Sequence, residues 1–342
     1  EKQRRVREGG MGAGVSALPG ATMSVAESRI RNNSAAGSLT ADPVSELTLT
    51  ASVVSDGQPM AASGEGFGVL ATTESTVSVS SSHFDRNIGA AIAVMGGATV
   101  EISTSALNGT LPIGDHFGWG LGVQQASRAL LDRVTIEGNR EAGIAAFGKD
   151  SEVWAHGSAI RGTLPTSQGE FGHGVAVQNG ASVKLISTHL HSNETAGGVV
   201  RGAGTTLHLT TAALTGTRQG GAWLGSGEGT PGDFQVFGDG LLASGSGELK
   251  VDYSVISSNS RCGVYYHDAL GVITGSTISG NGSYGLAMDG SEDAVSYVEG
   301  DNLISGNAVN LPQSLAAEVT TSPDGLPVPP PPQSIGLPQR GD

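Results

Sequence analysis

Residues 128–147 read RALLDRVTIEGNREAGIAAF, and residues 182–201 read SVKLISTHLHSNETAGGVVR. Laid over one another, Leu131 falls on Leu185, Ile136 on Leu190 and Asn139 on Asn193, a shift of 54 residues. Within each stretch apolar and polar side chains alternate at period two, whereas a helix would return its apolar face every three to four residues. These segments are strands.

Working outward, one unit returns along nearly the whole chain: apolar, any, apolar, two residues, Ser or Thr, any, apolar. Its bounding apolar positions are Val25 and Ile30, Leu49 and Val54, Val79 and Phe84, Ile102 and Leu107, Leu131 and Ile136, Ala155 and Ile160, Leu185 and Leu190, Leu209 and Leu214, Val251 and Ile256, and Ile273 and Ile278. Ile304 ends a looser eleventh copy. From Ile30 to Leu214 the closing positions lie 24, 30, 23, 29, 24, 30 and 24 residues apart, so every second coil carries roughly six extra residues. The extras follow Val54, Leu107 and Ile160, and the runs Asn108-Gly109-Thr110-Leu111-Pro112 and Arg161-Gly162-Thr163-Leu164-Pro165 place them on loops.

A coil of 22 to 24 residues accommodates three short strands and their turns, and such a coil buries its apolar side chains only against coils above and below. The expected fold is all-β: a right-handed parallel β-helix of three-stranded coils, about 11 rungs, with loop insertions on alternate rungs. It should run over residues 10–310, with an irregular excursion at 225–247 where the copies lie 42 residues apart. Residues 1–9 read as a linker or a truncated segment, and 311–342 as a cap (Leu311 to Val319) followed by a Pro-rich tail.

Two polar columns accompany the repeat. Asn stands three residues after the closing apolar position in the plain coils (Asn33, Asn87, Asn139, Asn193, Asn259, Asn281, Asn307), where its tolerance of left-handed backbone suits a corner. Ser or Thr stands two residues before it (Ser28, Ser52, Ser82, Ser105, Ser158, Thr188, Ser254, Ser276), one hydroxyl per coil. Repetition in nearly every coil marks both as scaffold.

Composition narrows the function. Gly supplies 54 of 342 residues, charged residues 15% and aromatics 4%, so small side chains do the packing. A net charge of −14 repels phosphate backbones and anionic bilayers, which excludes nucleic acid as a partner, and no apolar run is long enough for membrane insertion as a helix. The single Cys262 has neither metal-type spacing nor a disulfide partner in the chain. The opening Glu1 and the absence of a leader pattern read as a processed or excised piece.

The string of apolar strand, Ser/Thr, Ile/Leu, Gly-Asn, Gly-Ile/Val resembles the parallel β-helix repeat proteins of the pectin-lyase-like superfamily, from about Gly10 to Asn310. That resemblance implies a bacterial secreted or cell-surface protein working on, or binding, acidic polysaccharide. A calcium-dependent lyase needs several carboxylates on adjacent rungs. The three outward columns that the register defines never place two acids on neighbouring coils, so no metal and no cofactor is expected.

Gly172-His173-Gly174 resembles the Gly-His-Gly element of the superfamily's galacturonan hydrolases, yet sister coils carry Phe67 and Trp119 in that slot and plain coils a small residue (Ala90, Gly143, Gly197). Alternation of large and small is how a tight column fills, so His173 reads as packing and no catalytic residue is assigned. Polar and aromatic residues nevertheless gather on the loops. Asp115, His116, Trp119, Glu170 and His173, with Tyr266 from a later coil, form the candidate carbohydrate-binding set, against the alternative of solvated loop polarity around buried aromatic anchors.

Ala91, Ala93, Gly120, Gly122, Gly174 and Ala176 suggest a bare sheet face fit for lateral self-association. The expected function is a non-catalytic extracellular or cell-surface scaffold contacting glycan or another cell-envelope component. The alternative is a polysaccharide lyase or hydrolase with its site in the loop groove.

Overall fold

A computed structural model describes residues 13–310 except 18, 41–43, 60–63, 65, 115, 224–233, 290–295 and 300. The segments 1–9 and 311–342, including the cap and the Pro-rich tail, lie outside the described residues.

Three parallel sheets of 11 strands each wind as a right-handed β-helix, and successive strands fall in turn to one sheet after another. One middle rung contributes Trp119–Gln124 to the first sheet, Arg128–Asp132 to the second and Thr135–Glu137 to the third. The register is the one the repeat defines: Leu131 pairs with Ala155 and Ile136 with Ile160 on the next rung. The closing apolar residues fill the centre, and Phe84, Leu107, Ile136, Ile160 and Leu214 are fully buried.

The two polar columns act as stitches between rungs. Ser82 N–H donates to Ser105 Oγ at 3.0 Å while that hydroxyl donates to Ser103 O at 2.7 Å, so one hydroxyl satisfies a corner on each of two coils. Asn139 Oδ1 accepts from Thr110 N at 3.0 Å, and its Nδ2 donates to Leu107 O at 2.9 Å. Asn193 repeats this with Thr163 N and Ile160 O, both at 3.1 Å. The left-handed residue at this corner is not the column Asn but the one before it: Asn32, Arg86, Gly138 and Ser192 have φ between 50° and 64°. The Asn side chain is retained for hydrogen bonding, and a preceding residue turns the chain.

All loop insertions leave from this Asn corner, between the third and first sheets. The excursion lies earlier in the chain than the expected 225–247. Asp239–Ser244 is a regular strand of the first sheet, and the irregular part is a fourth insertion containing the antiparallel pair Gly220–Trp223 and Phe234–Phe237. It follows Leu214, where the alternating series places it.

The bare face does not exist as expected. Ala91, Gly120 and Gly174 point inward at the Asn corner: a Cβ on Gly174 would stand 2.5 Å from Gly197 O and 2.7 Å from Asn193 Nδ2. Ala93, Gly122 and Ala176 do point outward, but aromatic side chains of the same sheet cover them, and Trp119 lies 2.6 Å from where a Gly122 Cβ would be. The whole strand Trp119–Gln124 is buried.

Candidate functional site

The loop corner is built from pairs of rungs. Ala36 stands opposite Phe67, Ala90 opposite Trp119, Ala142 opposite His173 and Ala196 opposite Asp239. Large and small residues do alternate, and the small partners beside His173 are Ala142 and Ala196 rather than Gly143 and Gly197, which point into the corner. The physical reason is a break in the in–out alternation: two successive residues, such as Gly120 and Leu121, both face inward where the strand leaves the corner.

Glu141 organises this region, although no repeat position or motif marks it in the sequence. Its carboxylate accepts the Trp119 indole N–H at 3.0 Å and the Phe117 backbone N–H at 2.6 Å. Its own carbonyl accepts from Gly172 N at 3.0 Å and His173 N at 2.9 Å. One residue thus clasps the preceding loop by its side chain and the following loop by its backbone. Burial pushes the Glu141 carboxyl up to about 8 against the lowering effect of its two donors, with the Glu170 charge adding to the rise. On the next plain rung Thr195 takes the equivalent place, its hydroxyl donating to Phe171 O.

Phe117 and Phe171 each enter the corner at positive φ (67° and 66°), followed by Gly118 and Gly172 at 96° and 100°, so the two loops share one backbone path. Phe117 meets Trp119 edge-on at 5.0 Å, and Phe147 lies 5.3 Å beyond Trp119. Phe171 meets His173 at 6.2 Å. A small apolar recess lies here, lined by Phe67, Ala90, Ile113, Phe117, Trp119 and Gln124.

This geometry separates the six sequence-predicted residues. Trp119 and His173 are 3% and 1% exposed, which leaves neither ring a face for a sugar. Tyr266 is buried in the central core and packs over Gly271, where a Cβ would stand 2.5 Å from its hydroxyl. It is Tyr265 that faces outward, beneath Arg261. Burial holds the Tyr266 phenol well above its ordinary range. His116 is exposed in a tight turn closed by its backbone bonds with Ile113, and Glu170 is half-buried at the base of the next loop. Asp115 lies outside the described residues. Among the described residues no group of three or more His, Cys, Asp or Glu side chains could hold a metal ion.

A different surface carries an open aromatic. Trp154 is 39% exposed on the outer face of the second sheet, in the strand Glu152–His156. Arg128 from the preceding rung lies 4.8 Å from its ring centroid and Lys184 from the following rung 4.7 Å. Continuing along the same outward column, Trp154 pairs with Lys184, Lys184 with His208 and His208 with Lys250. The signal is present in the sequence as one Trp followed by three nitrogen bases at a single position of successive repeats, Trp154, Lys184, His208 and Lys250.

No protein-family model matches the chain, and no curated protein matches it. Among solved structures, the periplasmic alginate epimerase AlgG is similar at 13% identity with a TM-score of 0.57, over 88% of this chain and 75% of that one. A mutant of the same epimerase gives 0.59 at the same identity and coverage. The pectate lyase Pel9A is similar at 11% identity and a TM-score of 0.48, over 88% and 82%. At these identities the likeness concerns the fold alone, and the chain is a right-handed parallel β-helix.

Proposed function

We propose that this chain is a secreted or envelope-exposed β-helix that binds glycan without transforming it. The observation that carries the reading is Trp154. In a chain with 4% aromatic residues, it presents the edge of an indole to solvent on a rigid sheet, with Arg128 and Lys184 held over its ring, while the loop aromatics are consumed in packing. A rigid platform costs little ordering on binding, and an indole edge beside two held cations offers a sugar both apolar contact and charged N–H donors. The loop corner offers less to a reaction: both oxygens of Glu141 are engaged with Trp119 and Phe117. An envelope location agrees with the periplasmic epimerase among the fold neighbours.

The test sets retention against turnover. Polygalacturonate, alginate and chondroitin are incubated with the protein, with and without calcium, and followed for unsaturated products, new reducing ends and changed uronate stereochemistry. Retention on immobilised glycan without any of these is the expected result. Turnover that His116→Ala or Asp115→Ala abolishes would put the lyase or hydrolase reading in its place.

A further inference from the structure

We infer that Arg128, Trp154, Lys184, His208 and Lys250 form a track for an acidic polysaccharide lying along the coil axis on the outer face of the second sheet. The inference rests on the binding reading above and names the ligand class and the surface.

The argument begins with what Trp154 does to its neighbours. An ion pair neutralises a cation, whereas an aromatic ring holds one in place and leaves its charge and its N–H donors free. Trp154 holds two, at 4.8 and 4.7 Å. Lys184 has no ion-pair partner among the described residues, and Arg128 has only the long contact to Glu152 at 3.7 Å. The pair therefore stands ready for an anion that the protein itself does not supply.

The spacing then selects a polymer over a single small anion. Arg128, Lys184 and Lys250 belong to alternate rungs, about 10 Å apart for a strand separation near 4.8 Å. Trp154 and His208 fill the rungs between them. Lys250 pairs with Glu248 at 2.8 Å and His208 with Asp252 at 2.7 Å, both at the surface, where such pairs are weak enough to open toward a competing anion. Exposed Ile186, next to the row, adds apolar surface. From Trp154 to Lys250 the column itself holds no acid. Glu152, Asp252 and Glu248 flank it and pair with Arg128, His208 and Lys250, which leaves Lys184 as the open charge at the centre and makes the flanking contacts the ones an anionic chain laid along the row would compete for.

The experiment measures retention of the full chain on polygalacturonate, alginate and chondroitin sulfate, with neutral dextran as control, across a salt series. Wild-type protein is expected to hold the acidic polymers, release them as salt rises, and ignore dextran. Lys184→Gln and Trp154→Ala should each weaken retention roughly tenfold, the loss of one contact worth about 1.4 kcal/mol. Lys184→Arg should restore it. Both positions are at the surface, so an unchanged thermal midpoint and circular dichroism spectrum confirm that the variants fold. Should these variants retain acidic glycan as the wild type does, the track is wrong while the binding reading stands. Should the wild type hold no glycan, acidic or neutral, the binding reading itself falls. A preference for carboxylated over sulfated polymer, or the reverse, identifies which anion the row reads.

Discussion

The indole N–H of Trp119 donates to Oε1 of Glu141 at 3.0 Å, so an acid on one rung fixes an aromatic on the rung before it. Because burial raises the Glu141 carboxyl from 4.5 to about 8, the folded chain holds a proton there over a range in which the unfolded chain has released it. Its contribution to stability is whole below the lower value and declines as pH climbs toward the upper one, by on the order of 5 kcal/mol. Urea midpoints measured from pH 5 to 8 should fall, and Glu141→Gln should flatten the slope. An unaltered slope in that variant would remove Glu141 as the cause.

Glu141→Ala tests the clasp independently of charge. It leaves the buried Trp119 N–H and the Phe117 N–H without acceptors, at about 1–3 kcal/mol for each. Trp119 fluorescence should shift to the red as water reaches the loop, and protease cleavage within 111–118 should quicken. A variant as stable and as protected as wild type would show that the loop is held by its aromatics alone.

Gly174→Ala probes the inward corner. The added methyl would meet Gly197 O at 2.5 Å and Asn193 Nδ2 at 2.7 Å, both fixed by the ladder. The expected loss is about 2–3 kcal/mol, the range for overfilling a packed site. Gly138→Ala, whose Cβ position meets nothing within 4 Å, should cost less and only through its φ of 64°. Equal losses would refute the steric account.

Asn193→Ala removes an acceptor for Thr163 N and a donor for Ile160 O at a buried corner. About 2–4 kcal/mol should be lost, and amide exchange should quicken at Thr163 more than at distant rungs. Uniform acceleration along the coil would mean that the ladder is not a local stitch.

Asp239 is fully buried and bound by Arg261 through Nε at 2.9 Å and Nη2 at 2.5 Å, with Cys262 N adding a third donor at 3.0 Å. Burial would lower the Arg261 guanidinium, but the charge and hydrogen bonding of Asp239, with smaller contributions from Cys262 and Tyr265, together raise it. Arg261→Ala strands that carboxylate and should cost about 3–5 kcal/mol, while the double variant with Asp239→Ala should lose clearly less than the sum of the two singles. Additive losses would show the two residues to be independent.

Much of this fold is legible because a coil stack imposes its period on every rung. The closing apolar residues, the Ser and Asn columns and the loop-bearing alternate coils all follow from spacing, since each rung must present the same edge to the next. At the corner the sequence pattern is off by one residue: alternation puts Gly143 and Gly197 in the slot that Ala142 and Ala196 occupy, because period two cannot reveal that two consecutive residues turn inward there.

What the linear order of residues determined was the winding, the register and the corner from which the loops leave, because those depend on repetition that any rung can report. Which side chains stay open to solvent was decided only in three dimensions. Trp119 and Trp154 are alike as residues, but one lies over Gly122 beneath a loop and hydrogen-bonds Glu141, while the other stands on an uncovered sheet between Arg128 and Lys184. Coverage depends on what crosses a face from other rungs, and no local pattern encodes that.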